Sequence, residues 1–244
     1  MTTSRDQGPE ASAVGRTETP VPESAGQLPQ WRAVAVVIAH PDDESFGLGA
    51  VIDAFVRAGS SVSVLCFTQG EASTLGADAA DLASVRALEL ADAARALGVV
   101  DVELLDFADG GLEQADDADL VVRITEHCDG HRPDGLLVFD PSGITGHPDH
   151  QAATAAAVTA ARQRELPVLA WSLPADVADQ LSDETGVRFY GRDEAELDVC
   201  LTVSRERQRE AVSCHPSQAV PGSALWRRLE LQGDTEHLMW LHRA

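Results

Sequence analysis

The chain has 244 residues, enough for one sizeable α/β domain with a real core, and its apolar share of 44% is ordinary for a folded protein. Its 40 acidic side chains against 18 Lys and Arg give a formal net charge of −22. Such a charge repels phosphate backbones and anionic lipid, which argues against nucleic-acid and membrane partners.

Residues 1–30 are rich in Ser, Thr, Pro, Gly, Glu and Gln. That composition buries too little apolar surface to offset its ordering entropy, so a flexible tail is expected there and one folded domain over 31–244. "AVAVVIA" (33–39) is a continuous apolar run, as in a strand covered on both faces. "ESFGLGAVIDAFVRAG" (44–59) has helical spacing and ends in a glycine suited to a C-cap. "SVSVLCF" (61–67) is a second strand, and "DLASVRALELADAARALG" (81–98) is the strongest helix signal in the chain.

A third strand is expected over 101–107, a helix over 117–130, a fourth strand over 134–140, a helix over 149–164 and a fifth strand over 167–173. After Pro174 the alternation weakens, leaving a strand over 196–203, a helix over 204–215 with Ser204 as N-cap, and an edge strand over 236–243. Strands alternating with helices of this length imply right-handed crossovers. The fold class is therefore α/β: a Rossmann-like, doubly wound, mostly parallel sheet flanked by helices. The N-terminus shows no basic region followed by a hydrophobic segment, and Cys66, Cys128, Cys200 and Cys214 show no CxxC spacing. Free thiols in a reducing cytoplasm are expected.

The first βα turn holds "AHPDDE" and the end of the fourth strand runs into "FDPSGITGHPDH" (139–150). "GLGA" (47–50) is a poor nucleotide fingerprint because it lies inside the helix pattern, where its glycines fit close helix packing. In a 3-2-1-4-5 strand order the first and fourth strands are neighbours at the switch point, so their C-terminal loops flank one crevice. His40, Asp42, Asp43, His147, Asp149 and His150 should then converge. One such turn alone fits acids capping a helix start, but two at the ends of adjacent strands point further.

Crowded carboxylates beside imidazoles need a compensating positive charge, which a divalent cation supplies. Two histidines and one carboxylate with an open position make a catalytic zinc arrangement, with Fe(II) as the alternative. His40 and Asp43 can both point into the crevice across the turn, and His150 completes the set. Asp42 fits as the base beside the metal, and His147 as the group that stabilises or protonates what forms there.

"AHPDDESFGLG" and "GHPDH", with "GEASTLG", "RALELADAARALGV" and "DGGL" in matching order, resemble the PIG-L, or LmbE-like, family of zinc-dependent N-deacetylases. The resemblance covers about residues 33–170, with weaker echoes to 218. It implies hydrolysis of an N-acetyl amide on a small amino-sugar substrate of the N-acetylglucosamine type. It assigns zinc to His40, Asp43 and His150, the base to Asp42, the electrophilic or acid histidine to His147, and an imidazole-orienting role to Asp149. It places Arg86 at the substrate, and "CHPSQ" (214–218) would put His215 on the pocket rim, against a structural reading as a helix-end histidine. Sugar-inositol deacetylases of the family often carry a tyrosine where this chain has Thr145, which is too short to reach an oxyanion as a phenol would. Two other functions stay open: an amidase acting on a larger thiol- or sugar-conjugate amide, and a metal-stabilised sugar-binding protein. A homo-oligomer is also left open.

Overall fold

The computed structural model describes Met1, residues 27–75 and residues 81–244. The expected tail over 1–30 falls mostly outside these residues. Of its described part, Leu28 packs against the core.

The sheet starts with β1 (Ala33–Ile38), β2 (Ser61–Thr68), β3 (Asp101–Phe107), β4 (Gly135–Phe139) and β5 (Val168–Pro174). It is completed by β6 (Gly191–Arg192), β7 (Val199–Thr202) and β8 (Thr235–His242). Strand order is β3-β2-β1-β4-β5-β8-β7, with β6 paired to the end of β5. β1 to β5 run parallel, and β8 is antiparallel to both β5 and β7. The parallel half thus has the 3-2-1-4-5 order expected of a doubly wound sheet.

Both faces of β1 are covered, which is why its sequence is apolar without alternation. Val34, Val36 and Ile38 face a core shared with Phe55, Leu90 and Leu97. Ala35, Val37 and Ala39 face the other, shared with Leu120, Ile124 and Ala157. The first core is covered by α2 (Gly49–Arg57) and α3 (Leu82–Leu97). The second is covered by α4 (Asp117–His131) and, after the short α5 (Gly143–Gly146), by α6 (Pro148–Gln163), whose buried face is mostly alanine and lets it lie close to the sheet.

Three expectations need correction. The single helix over 44–59 is broken into α1 (Asp43–Phe46) and α2 at Gly47 and Leu48. A Cβ on Gly47 would sit 2.5 Å from the Phe139 ring, so the chain turns where only glycine can pass β4. The strand over 236–243 is not an edge: β8 lies between β5 and β7. Its Glu236 is fully buried, with Arg205 Nη1 donating to it at 2.5 Å and Trp171 Nε1 at 2.6 Å. The helix expected from Ser204 starts later, as α8 (Glu206–Ser213), with Arg205 rather than Ser204 at the N-cap position. The weakly patterned region after Pro174 also contains α7 (Ala175–Thr185) and α9 (Ala224–Gln232), neither expected from the sequence. Among the described residues no helix is long and apolar enough to cross a membrane.

Gly47→Ala should lower stability by about 1–3 kcal/mol, the cost of overpacking a tight contact. Gly130→Ala, in α4 with open space around its Cβ position, should raise it by about 0.5–1 kcal/mol. Denaturant midpoints moving in opposite directions are the expected outcome.

Candidate metal centre and active site

β1 and β4 are neighbours, so the loops after them meet at one crevice. The first loop folds back on itself. Asp43 Oδ2 accepts from the backbone N–H of Ala39 at 3.2 Å and of His40 at 2.9 Å, and Asp42 takes φ 124°, a strained conformation for a residue with a side chain. The second loop enters α6 with His147 as N-cap, its Nδ1 accepting from Asp149 N–H at 3.3 Å.

Two imidazole nitrogens and the Asp43 carboxylate converge where the loops meet. His40 Nδ1 lies 3.2 Å from His150 Nε2 and 3.6 Å from Asp43 Oδ2, and His150 Nε2 lies 3.1 Å from Asp43 Oδ1. Ligands about 2.0–2.2 Å from a tetrahedral zinc are separated from one another by about 3.4 Å. The observed separations of 3.1, 3.2 and 3.6 Å, in which the two histidines meet different oxygens of the Asp43 carboxylate, therefore fit a divalent cation. Two imidazole nitrogens facing each other at 3.2 Å cannot both present lone pairs without a cation or proton between them.

Behind the triangle, His40 Nε2 faces two more carboxylates, Asp109 Oδ1 at 3.1 Å and Asp149 Oδ2 at 3.2 Å. Burial lowers the His40 pKa, but hydrogen bonds to Asp109, Asp149 and Asp43 outweigh it and push it up to about 12. The site thus calls for positive charge. Asp149 is itself fixed, accepting from Gly110 N–H at 2.8 Å and Leu112 N–H at 3.0 Å, so it can lock the ring orientation of His40. Burial raises the Asp43 pKa, yet His150 and His40 hold its carboxyl well below the usual range. His150 is oriented by stacking on Phe139, with centroids 4.8 Å apart, and its Nδ1 has no hydrogen-bond partner among the described residues.

Asp42 faces the same cleft as the triangle. Burial pushes its pKa up to about 7, with Arg86 opposing and Asp43 adding to the rise. Arg86 Nη2 lies 3.0 Å from Asp42 Oδ2, and the same guanidinium donates to the carbonyls of Pro41 and Gly70. The His147 ring is 4.8 Å from that of His40 and 4.9 Å from that of His150. Burial and the two neighbouring imidazoles lower its pKa. With Nδ1 accepting, its neutral ring carries the proton on Nε2.

Arg86 is only 3% exposed but lines the cleft; its Nη atoms go to Asp42 and two carbonyls, which clamps the loop, and its Nε has no hydrogen-bond partner among the described residues. One expected substrate contact needs correction. His215 is fully buried with its Nε2 2.6 Å from Glu44 Oε1, which removes it from the rim. Glu44 also accepts from Asp42 N–H at 2.9 Å, so His215 braces the loop from below through Glu44. Thr145 is exposed, on the edge of a small apolar recess beside Asp43 and His150. Asp109 and Glu44 were not singled out from the sequence. The "DGGL" match contained the first, and the third acid of "HPDDE" is the second.

A family model described as PIG-L: GlcNAc-PI de-N-acetylase matches residues 35–161, which include every member of the donor triangle. The chain belongs to the PIG-L family. One family relative, a 1D-myo-inositol 2-acetamido-2-deoxy-alpha-D-glucopyranoside deacetylase of Kineococcus radiotolerans, is 34% identical over 158 residues, covering 52% of this chain and 44% of that protein. The matches span 44%, 57% and 62% of three such deacetylases, so the chain aligns with about half of their length. A deacetylase triple mutant from the teicoplanin biosynthetic pathway shares the fold with a TM-score of 0.67 at 23% identity, covering 87% of this chain and 98% of that one. So does GalB, the 4-carboxy-2-hydroxymuconate hydratase of Pseudomonas putida KT2440, with a TM-score of 0.64 at 20% identity over 87% and 97%. The fold therefore carries more than one chemistry.

The second loop of this PIG-L chain is anchored by Asp140. Its carboxylate accepts two hydrogen bonds from Arg192, at 2.7 and 2.8 Å, one from Ser172 Oγ at 2.7 Å and one from Ser142 N–H at 2.8 Å. Burial raises the Asp140 pKa, but these partners hold it below the usual carboxylate value. Its stabilising contribution is present above the unfolded value of about 3.9 and is lost as pH falls through the lower folded value. Asp140→Asn should cost about 2–3 kcal/mol at neutral pH. That is less than the ~3–5 of a fully buried pair, because Arg192 keeps part of its hydration. Thermal unfolding from pH 7 to pH 2 should show the gap between wild type and variant closing below about pH 4.

Proposed function

We propose that the protein is a zinc-dependent N-deacetylase that hydrolyses an N-acetyl amide on an amino-sugar conjugate of the N-acetylglucosamine type, releasing acetate and a free amine. The observation that carries this reading is the donor triangle of His40, Asp43 and His150, with Asp42 and His147 on the same cleft. Membership of the PIG-L family and the deacetylase activities of its relatives support the amide and sugar classes. The donor set alone would also accept Fe(II).

The polar cleft above the triangle has a volume of about 520 Å³ and is bordered by Asp42, Ser73, Asp109, His147 and Gln218, groups suited to sugar hydroxyls. A divalent cation held by His40, Asp43 and His150 would polarise the scissile carbonyl and lower the pKa of water toward ~7. Asp42 takes the proton of the attacking water, with Arg86 and the Glu44–His215 pair holding its carboxylate and backbone in place. The Nε2–H of His147 donates to the oxygen on which negative charge develops. The proton then passes to the departing nitrogen from Asp42 or His147, and Asp149 keeps Nδ1 of His40 turned toward the metal site. The substrate is a small molecule in the cytoplasm, a reading supported by four unpaired cysteines and strong net negative charge.

Acetate release from a panel of N-acetylglucosaminides, with and without chelator, tests the reaction. Release from at least one member that stops on chelation and returns with zinc is expected. No release from any member, with stoichiometric zinc bound, would favour a sugar-binding protein instead. Asp42→Asn should lower kcat by about 10²–10⁴-fold while metal content, read by plasma mass spectrometry, stays unchanged. His150→Ala should lose the metal itself. Metal loss in Asp42→Asn would contradict this division of roles.

A further inference from the structure

A second recess of about 160 Å³ opens beside the donor triangle and shares only Asp43 and His150 with the polar cleft. Its walls are Phe46, Phe139, Ile144, Trp171, Phe189 and Leu225. The chain has only six phenylalanines, and three of them meet here. Arg228 at its base is already occupied, lying 3.4 Å from Glu236 and stacked over Trp171 at 5.0 Å, so it leaves no free charge for a polar ligand.

The wall nearest the second loop is held at a conformational cost. Ile144 takes φ 65°, ψ −56°, a region that a β-branched residue rarely enters. Its carbonyl accepts from Tyr190 N–H at 2.7 Å and its N–H donates to Ser142 Oγ at 3.3 Å, which together fix the turn. The strained backbone turns the isoleucine side chain into the recess rather than toward solvent, where it is 7% exposed.

We infer that this recess is an acyl-chain pocket and that the enzyme prefers an N-acyl group of about four to six carbons over acetyl. The inference rests on the amide-hydrolase reading above. An amide whose carbonyl sits at the triangle has two substituents. The sugar-bearing nitrogen needs donors and acceptors for its hydroxyls, which the polar cleft supplies. The acyl carbon then points to the other side, into the apolar recess against Asp43 and His150. An acetyl methyl, about the size of one water at ~30 Å³ of liquid volume, would leave most of this recess unfilled. An enclosed apolar cavity of roughly 150 Å³ takes a ligand the size of benzene, and this recess, similar in volume but open on one side, has room for a chain of up to about six carbons. The chemistry is unchanged: the oxygen of water bonds to the carbonyl carbon, the C–N bond breaks, and the nitrogen leaves with a proton while the acid departs as its carboxylate.

N-acetyl-, N-butanoyl- and N-hexanoyl-glucosamine, assayed for free amine with the zinc-loaded enzyme, decide the question. Burial of each methylene should raise kcat/KM about three- to fourfold, so butanoyl should exceed acetyl by about tenfold. Calorimetry with the Asp42→Asn protein should show the same order in binding, independent of turnover. Ala224→Phe, at the pocket wall, should bring the butanoyl-to-acetyl ratio to one or below, and Leu225→Trp serves if that variant does not fold. The ratio is read within one preparation and does not depend on how much of the protein is active. A wild-type ratio at or below one overturns the acyl pocket while leaving the deacetylase intact, as does a ratio unmoved by either obstruction. Failure to hydrolyse any of the three, together with no release from the N-acetylglucosaminide panel, overturns both.

Discussion

Four carboxylates crowd two imidazoles at the junction of the first and fourth strands, and their need for a shared positive charge organises everything around them. Asp43, Asp109 and Asp149 all approach His40 within 3.6 Å, and Asp43 also contacts His150 at 3.1 Å. Asp42 stands next to them, paired with Arg86. Such an arrangement is costly in a folded interior unless a cation completes it. The arrangement of donors at coordination distances, rather than their number alone, is what suits a metal ion there.

The fold contributes by bringing the two loops together and holding them still. Parallel strands place the C-terminal ends of β1 and β4 side by side. Rigid partners then fix each loop: Arg86 and the Glu44–His215 pair under the first, the Asp140–Arg192 pair under the second. Strained backbone occurs at Asp42 and Ile144, one in each loop, and each strained residue presents its side chain to a recess at the triangle. Recesses of opposite character on the two sides give the site a direction, polar toward the amine and apolar toward the acyl group.

Much of this was legible in the sequence because the relevant information is local. His40, Asp42 and Asp43 lie within one turn, and His147, Asp149 and His150 within another. Strand alternation alone predicts that the two turns adjoin. Residues whose roles depend on distant partners were harder to read. Glu44 and His215 are 171 positions apart, and nothing near either announces that they pair at 2.6 Å in the interior. Arg86 lines the cleft as its motif suggests, but its hydrogen bonds to the carbonyls of Pro41 and Gly70 are not readable from the motif. The interior position of β8 follows from Glu236 and its two arginines, a pattern with no periodic signature. The apolar recess gathers side chains from six separate segments and so leaves no motif at all.

The central claim is that two loops, with ligands 110 positions apart, clasp a single metal ion. X-ray absorption at the metal edge of the purified holoprotein tests it most directly. A nitrogen- and oxygen-only shell at about 2.0–2.2 Å, with the multiple-scattering signature of two imidazoles, is expected. A sulfur shell near ~2.3 Å, or oxygen scatterers with no imidazole signal, would contradict it.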